Sequence, residues 1–467
     1  MSSRTTLCRS ALALAAATLL AACATAPEPA PERPAVPDGW RQAGDSSAAA
    51  DATRVDETWW QSFGSSRLGG FIAESDAHNS DLRIALESVR QAELALRVAG
   101  ASRWPTVGAS ASSSRTRTDP DGGSASTSRR SSAGLSVSYE ADLWGRLAAG
   151  VDAGEATLAA SRLDLQASRT SIRAGVAASY WGWLAGAERL RVARDNLAAA
   201  RRILTIVEAR HAGGVQTAVD VAQQRTLVRQ REAALIPLEL ALQQDASALA
   251  LLLGRVPQQA PELGDEALTA IRVPELAAEL PAEALSRRPD VAAAEARLAA
   301  ADADVRAARA ALLPTLTLSA SGTLASDVLL DLADPTRSVA LAASLAQTLF
   351  DAGRRDAAVE QSRSARRVLI ERYAATLRIA LKEIDDGLGR VRSAARQEAA
   401  QAAVVEQAER ALRLAQTRLQ AGAGDLLTVL QAQQTLFSAQ DTLVTLRLER
   451  LNAAVDLCVA LGGGWRG

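Results

Sequence analysis

The sequence is poor in the residues on which catalytic and metal sites most often depend. It has two histidines, three cysteines and one methionine, and aromatic residues make up only 3% of the chain. It contains no phosphate-binding glycine loop and no metal-ligand spacing. His78 and His211 are far apart in the sequence, and a packed histidine or one at a helix end is the favoured interpretation of His211. We therefore expect no enzyme, no metal site and no cofactor.

The chain also lacks an excess of positive or negative charge, and it lacks a pair of cysteines that could form a disulfide. The 52 basic and 53 acidic side chains nearly cancel. Lys382 is the only lysine, and no basic tract argues for a nucleic-acid partner. Cys8 lies in the predicted leader, and Cys23, which follows it, is the predicted site of lipidation. Cys458 therefore stands alone and no disulfide framework can form within one chain. We expect Cys458 to be buried in its apolar run.

The N-terminus lacks an apolar run long enough to span a bilayer as a helix. The run Ala11 to Ala22 follows two arginines and has the form of a secretory leader. It ends in Leu20-Ala21-Ala22-Cys23, which resembles the bacterial lipobox. This resemblance implies cleavage before Cys23, a covalent lipid on its sulfur, and outer-membrane sorting because Ala24 rather than aspartate follows. The alternative is an ordinary leader with a chance cysteine.

What the sequence has in abundance is alanine and long stretches without proline. Between 353 and 421, and again between 145 and 212, apolar residues recur at heptad-like spacings. This periodicity predicts two coiled-coil helices, each roughly 100 Å long at 1.5 Å per residue. Glycines that can reverse the chain follow both, in Ala212-Gly213-Gly214-Val215 and in Ala421-Gly422-Ala423-Gly424.

The chain also repeats one plan twice. Pro105-Thr106 recurs as Pro314-Thr315, and the same offset of 314 − 105 = 209 carries Ala212-Gly213 to Ala421-Gly422. Each copy has the order helix, strand, strand, long helix, return helix. The predicted segments are a leader (1–22), a lipidated proline-rich tether (23–39), an N-terminal segment (40–66), repeat 1 (67–254), a connector (255–282), repeat 2 (283–463) and a tail (464–467). Within the repeats we predict strands at 106–117, 134–143, 315–325 and 339–349, long helices at 145–212 and 353–421, and return helices at 216–253 and 425–461.

The predicted strands alternate apolar and hydroxyl-bearing residues over about ten positions, which is the pattern of a transmembrane barrel strand. In the third strand, Leu316 and Leu318 lie on one face and Thr315 and Thr317 on the other. A soluble sheet with one face on a core is the alternative, but the flanking helices have no spare apolar face to cover it. Four strands cannot close a barrel, so several chains must share their strands, and three chains would give twelve.

Several motifs together resemble one family. They are Trp59-Trp60, Asp142-Leu143-Trp144-Gly145-Arg146, Arg288-Pro289-Asp290-Val291, Phe350-Asp351-Ala352-Gly353-Arg354 and Leu461-Gly462-Gly463-Gly464-Trp465. Their order and spacing are similar to those of the TolC-type outer-membrane factors, in the lipoprotein branch of the tripartite (RND-type) efflux systems. The resemblance covers essentially the whole mature chain.

The resemblance implies a mainly α fold with a small membrane β-barrel portion. Long helices would form a trimeric α-barrel, and four strands per chain would join a shared 12-stranded β-barrel. Such a homotrimer is a passive exit channel for small molecules, anchored by lipid in the outer membrane with most of the chain in the periplasm. It works with a periplasmic membrane-fusion adaptor and an inner-membrane efflux pump.

The resemblance also assigns roles at the ends of the long helices. The two glycine turns would form the periplasmic rim where the adaptor docks, although they also serve as helix caps. The preceding turns narrow the tunnel in the family, in many members through acidic side chains. Gln416 stands at the matching place with Arg413 nearby, so we expect a constriction resting on Leu412 and polar contacts. The alternatives are a type I secretion duct, a periplasmic coiled-coil tether without a pore and, with least support, a periplasmic enzyme.

Overall fold

The computed structural model describes residues 35–42, 54–119, 121–276, 280–328 and 330–465. The predicted leader, Cys23 and most of the tether lie outside these ranges. In chain order the elements are α1 (Leu68–His78), α2 (Ser80–Ala101), β1 (Thr106–Thr118), β2 (Ser126–Ala141), α3 (Arg146–Ala212), α4 (Ala218–Leu252), α5 (Pro281–Ser286), α6 (Pro289–Ala310), β3 (Thr315–Ser326), β4 (Thr336–Ala346), α7 (Arg354–Gln420) and α8 (Leu426–Ala460). Short 3-10 helices lie at Trp59–Phe63, Pro257–Gln259 and Leu268–Ala270.

The two copies match element for element, which confirms the internal repeat. Helices α2 and α6 have 22 residues each, α3 and α7 have 67, and α4 and α8 have 35. The single offset of 209 is wrong beyond the strands, because α7 follows α3 by 354 − 146 = 208 positions. The second copy is one residue shorter between its first strand and its long helix. Hairpin connections tolerate such a change, whereas a deletion inside a coiled coil would rotate its apolar seam.

The four strands form one antiparallel sheet in the order β1-β2-β3-β4. Strand β2 begins at Ser126, well before the predicted 134. The prediction missed this part of the strand because its residues are serine, threonine and arginine without apolar alternation. Strand β4 spans Thr336–Ala346 and so ends before the predicted 349. The polar starts of both strands pair in the ladder all the same, because backbone hydrogen bonds do not depend on the side chains.

The sheet separates apolar from hydroxyl-bearing side chains in the way that the sequence predicts. One cross-strand row joins Val107, Val137, Ala320 and Leu341, and the adjacent row joins Gly108, Ser136, Ser321 and Ala340. The leucine and valine side chains of β4 lie open, with Val339 84% and Leu341 82% exposed. The apolar face of β4 is therefore not covered by its own chain.

The sheet belongs to a compact unit made of residues 89–161 and 294–374. In this unit Arg366 is buried and its guanidinium donates to Asp302, while Arg306 of α6 forms an ion pair of 2.7 Å with Asp152 of α3. These pairs connect the segments of the two repeats within the unit. The second unit comprises residues 34–88, 162–293 and 375–467.

The second unit is organised around an aromatic core. Tyr180 and Trp181 of α3 are fully buried, with ring centroids 5.3 Å apart, and Phe63 lies 5.7 Å from Trp181. Burial raises the pKa of Tyr180 well above its usual range, so its neutral hydroxyl donates to Glu266 at 2.6 Å. Cys458 is fully buried in the same core, as expected.

Candidate functional site at the ends of the long helices

The turn after α3 is a Schellman motif built on one glycine. Gly214 has φ of 76°, and its amide donates to the carbonyl of His211 at 2.9 Å. The amide of Val215 donates to the carbonyl of Arg210, also at 2.9 Å. This pair of bonds satisfies carbonyls that the end of the helix would otherwise leave open.

The turn after α7 has the same geometry. Gly422 has φ of 75°, its amide donates to the carbonyl of Leu419 at 3.1 Å, and the amide of Ala423 donates to the carbonyl of Arg418 at 3.0 Å. Gly422 therefore corresponds to Gly214, which is again an offset of 208. Gly424 has another reason to be glycine, since an added Cβ would lie 3.0 Å from Cβ of Arg418.

Each turn leads at once into a capped return helix. Thr217 and Asp220 form a reciprocal capping box at the start of α4, with the Thr217 amide donating to the Asp220 carboxylate at 2.9 Å. At the start of α8 the Asp425 carboxylate accepts from the Thr428 amide at 2.7 Å. The hydrogen bonds from Thr428 hold the pKa of Asp425 below its usual value, so the cap is ionised at neutral pH.

One apolar cluster joins the ends of all four helices. Val207 and Val429 are fully buried, and Leu419 and Leu426 are nearly so. The buried members are Ile203, Val207, Val221, Ala415, Leu419, Leu426 and Val429. The two predicted turns are thus brought together and rest on a shared core, which we call the turn cluster.

Arg210 connects the two turns and was not singled out by the sequence. Its guanidinium donates to the carbonyl of Leu419, one of the carbonyls that the second Schellman motif uses. A basic residue in the last turn of a helix was the available signal, because cations there interact favourably with terminal carbonyls. The sequence could not say that the bonded carbonyl belongs to the other long helix.

The residues of the predicted constriction occupy different surroundings. Leu412 is half-buried and packs against the turn cluster, and Gln416 is half-buried one helical turn further on. Arg413 is exposed, and its Nη1 lies 3.7 Å from Oε2 of Glu409. Leu414, which is not among the predicted constriction residues, is 60% exposed. The constriction itself stays a prediction.

His211 lies at the first turn, where its Nδ1 is 2.8 Å from the carbonyl oxygen of Gln216. This contact spans the turn and fits the interpretation of a histidine at a helix end. Within the described ranges, no group of three or more histidine, cysteine or acidic side chains is placed to hold a metal ion.

The two-copy architecture has a counterpart among known proteins. The sequence model of the family described as outer membrane efflux protein matches residues 71–255 and 280–463, one block for each repeat. The chain belongs to the outer membrane efflux protein family. Its members are channels of the outer membrane, and the family is one of transport proteins and not of enzymes.

Relatives in this family align with this chain over most of its length. The pyoverdine export outer membrane protein OpmQ of Pseudomonas aeruginosa is 40% identical over 97% of this chain and 96% of its own. The solvent efflux pump outer membrane protein SrpC of Pseudomonas putida is 34% identical over 83% of both chains. The open-state structure of the MtrE outer membrane channel of Neisseria gonorrhoeae is 26% identical, with a TM-score of 0.82 over 94% of this chain and 98% of that one.

These findings confirm the predicted fold class, the outer-membrane location and the function as an exit channel of a tripartite efflux system. The long helices, the sheet with its open apolar face and the paired turns are therefore parts of a conduit.

Proposed function

We propose that three copies of this chain form one duct, with four strands from each closing a twelve-stranded barrel. The observation that carries this proposal is the sheet, whose apolar face is open on β4 and whose edge strands β1 and β4 have no further partner among the described residues. A bilayer does not tolerate open sheet edges, and four strands are too few to close a barrel. Pairing β4 of one copy with β1 of the next satisfies both requirements.

Helix α4 supports the same assembly through its exposed apolar side chains. It is the one described helix whose length and composition would allow it to cross a membrane. It contains Pro237, and its apolar side chains Ile236 and Leu240 are 69% and 54% exposed. In a trimer these side chains are covered by the neighbouring copy, since exposed apolar side chains on a coiled-coil helix mark a helix–helix contact.

The two turns are proposed as the place where a periplasmic adaptor docks, connecting the duct to an inner-membrane pump. Their shared cluster and matched caps give two rigid hairpin ends per chain, hence six in a trimer. The same proposal places a covalent lipid on Cys23 as the membrane anchor. A secretion duct for proteins would use the same parts, whereas a tether without a pore would have no use for the sheet.

The cargo that we favour is a polar small molecule, with pyoverdine, for whose export the relative OpmQ is named, as the first candidate. The hydroxyl-bearing face of the sheet carries Thr317, Ser319, Ser321 and Thr323 and would line the barrel with groups that solvate a polar cargo. Apolar solvents, for which the relative SrpC is named, are the second candidate class.

Export by whole cells tests this proposal. We expect this chain to restore pyoverdine to the medium of a strain that lacks its own outer-membrane channel but keeps pump and adaptor. Restored tolerance to toluene without pyoverdine in the medium would assign the duct to solvents. Correctly inserted protein that restores neither would contradict the export function.

Loss of the Arg210 bond is expected to loosen the turns. In Arg210→Ala the carbonyl of Leu419 loses a charged donor, and such bonds contribute about 1.5–3 kcal/mol. Amide exchange of the last turn of α7 should therefore accelerate by about tenfold or more, as measured by hydrogen–deuterium exchange with mass spectrometry. Arg202→Ala, an exposed arginine two turns earlier on α3, is the control and should leave this exchange unchanged. Equal exchange in both variants would refute a link between the turns.

A further inference from the structure

The apolar face of the sheet changes character towards its helix-free end. Because alternate residues share a face, the row of valines, leucines and alanines on this face continues into arginines near the β1–β2 turn. The arginines on this face are Arg115 and Arg117 of β1, Arg129 of β2 and Arg337 of β4. All four are exposed, and we call them the arginine rim.

Two members of the arginine rim lie directly opposite each other. Arg115 pairs with Arg129 in the ladder between β1 and β2. Like charges at opposed positions of an antiparallel pair are destabilising. Nη2 of Arg117 lies 3.7 Å from Oδ2 of the Asp119 carboxylate. Within the described part of the chain, no carboxylate forms an ion pair with Arg115 or Arg129. An anion between these two guanidinium groups would turn their repulsion into attraction.

The loop between β3 and β4 folds onto the same face. The amide of Leu330 donates to Oγ of Ser131 at 2.8 Å, and Ser131 and Ser113 share a hydroxyl hydrogen bond of 2.9 Å. Both serines lie two residues from the opposed arginines, on the face that bears the arginine rim. The loop brings apolar side chains to this place, with Val328 53% and Leu330 84% exposed.

Cationic and apolar groups therefore meet where the membrane-facing surface ends. The helices that flank the strands are periplasmic in an outer-membrane channel, so the opposite end of the sheet lies in the outer leaflet. A charged side chain on the lipid-facing surface of a barrel is tolerated near the interface and not at the midplane. The position of the arginine rim is thus that of lipid headgroups.

We propose that Arg115 and Arg129, with the neighbouring rim arginines, bind the phosphate groups of a phosphorylated glycolipid of the outer leaflet. Arginine binds phosphate through paired N–H donors, which suits two guanidinium groups held side by side. The acyl chains lie along the apolar rows below and against Leu330. Continuity of the arginine rim with this apolar surface favours a lipid over a soluble anion. The proposal rests on the proposed barrel for the position of these strands in the membrane, but its arginines lie on the apolar face and not on the hydroxyl-bearing face that would line the duct.

Native mass spectrometry of the detergent-purified protein, titrated with diphosphorylated lipid A, tests this proposal. We expect the double variant Arg115→Gln/Arg129→Gln to bind this lipid at least tenfold more weakly than the unaltered protein. Arg130→Gln is the matched control, since Arg130 follows Arg129 on the same strand but points to the hydroxyl-bearing face, and it should bind normally. Arg115→Lys/Arg129→Lys keeps the charge and should lose less.

Three results would overturn the proposal. They are equal binding by the double variant and the control, equal binding of fully dephosphorylated lipid A, and displacement of the lipid by inorganic phosphate at matched concentration, which would indicate a soluble anion. The same spectra report the oligomeric mass. If the glutamine variant does not assemble, two measurements still test the proposal. They are lipid binding by the lysine variant, and the difference in binding between phosphorylated and dephosphorylated lipid A. Failure of export leaves these results unaffected, because the assay detects lipid mass and not transport.

Discussion

Gly464→Ala is expected to prevent the chain from folding. An added Cβ would lie 1.8 Å from the carbonyl carbon of Asp56 and 2.1 Å from its oxygen, far inside van der Waals contact. Gly464 also has φ of 80°, which an alanine side chain disfavours. Since both neighbours are backbone, no side-chain rotation can make room. We expect a loss of more than about 4 kcal/mol in the free energy of unfolding.

The measurement is the yield of detergent-soluble protein together with its thermal melting by circular dichroism. Gly182→Ala is the control, because Gly182 lies within α3 and its added Cβ would meet no heavy atom within 4 Å. Alanine there should be neutral or stabilise the helix by up to about 1 kcal/mol. A Gly464→Ala protein that melts like the unaltered chain would refute the close approach of the C-terminal residues to Asp56.

Arg288→Met is expected to lower the free energy of unfolding by about 3 kcal/mol. The Arg288 side chain is only 8% exposed, its Nη2 lies 2.7 Å from the Glu383 carboxylate, and its Nη1 donates to the carbonyl of Ala460 at 3.1 Å. Burial opposes the charge of Arg288, but hydrogen bonds from the guanidinium to Asp290 and Glu383 leave its pKa raised above the usual value. Methionine keeps the apolar packing and removes all of these bonds, and breaking a buried charge pair costs about 3–5 kcal/mol.

The lower end of that range applies because Asp290 and Glu383 are 42% and 46% exposed and can regain water. Arg194→Met is the control, since its ion pair with Glu239 is exposed on both sides and should cost less than about 1 kcal/mol. Chemical denaturation followed by tryptophan fluorescence measures both variants. Equal midpoints for the two would mean that Arg288 does not join α6, α7 and α8.

Much of the architecture was predictable because it depends on periodic patterns. The seams of α3 and α7, the alternation in the strands and the glycines at the turns each follow from a repeat of local geometry. The structure has these helices, strands and turns, although β2 begins earlier and β4 ends earlier than predicted. Arg288 was recognised only as part of a motif. Its partners Glu383 and Ala460 come from distant segments, which no local pattern reveals.

What the sequence could not supply depends on register and on distant contacts. The offset of 209 failed by one residue after the hairpins, because matching glycine pairs by type aligned Gly213 with Gly422 where the backbone aligns Gly214 with Gly422. The bond from Arg210 to Leu419 was missed for a similar reason, since its partner is 209 positions away. The faces of Leu412 and Gln416 depend on how helices of separate chains pack, which is a property of the assembly.

The central claim is that three copies of this chain form one pore, and the most direct test joins mass to conductance. Light scattering of the detergent-purified protein and single-channel recording in a planar bilayer are made on the same preparation. We predict a trimeric mass and discrete conductance steps that increase in Leu412→Ala, which loosens the packing beside the turn cluster. A monomer that produces no conductance in either form would contradict the shared barrel and favour the tether.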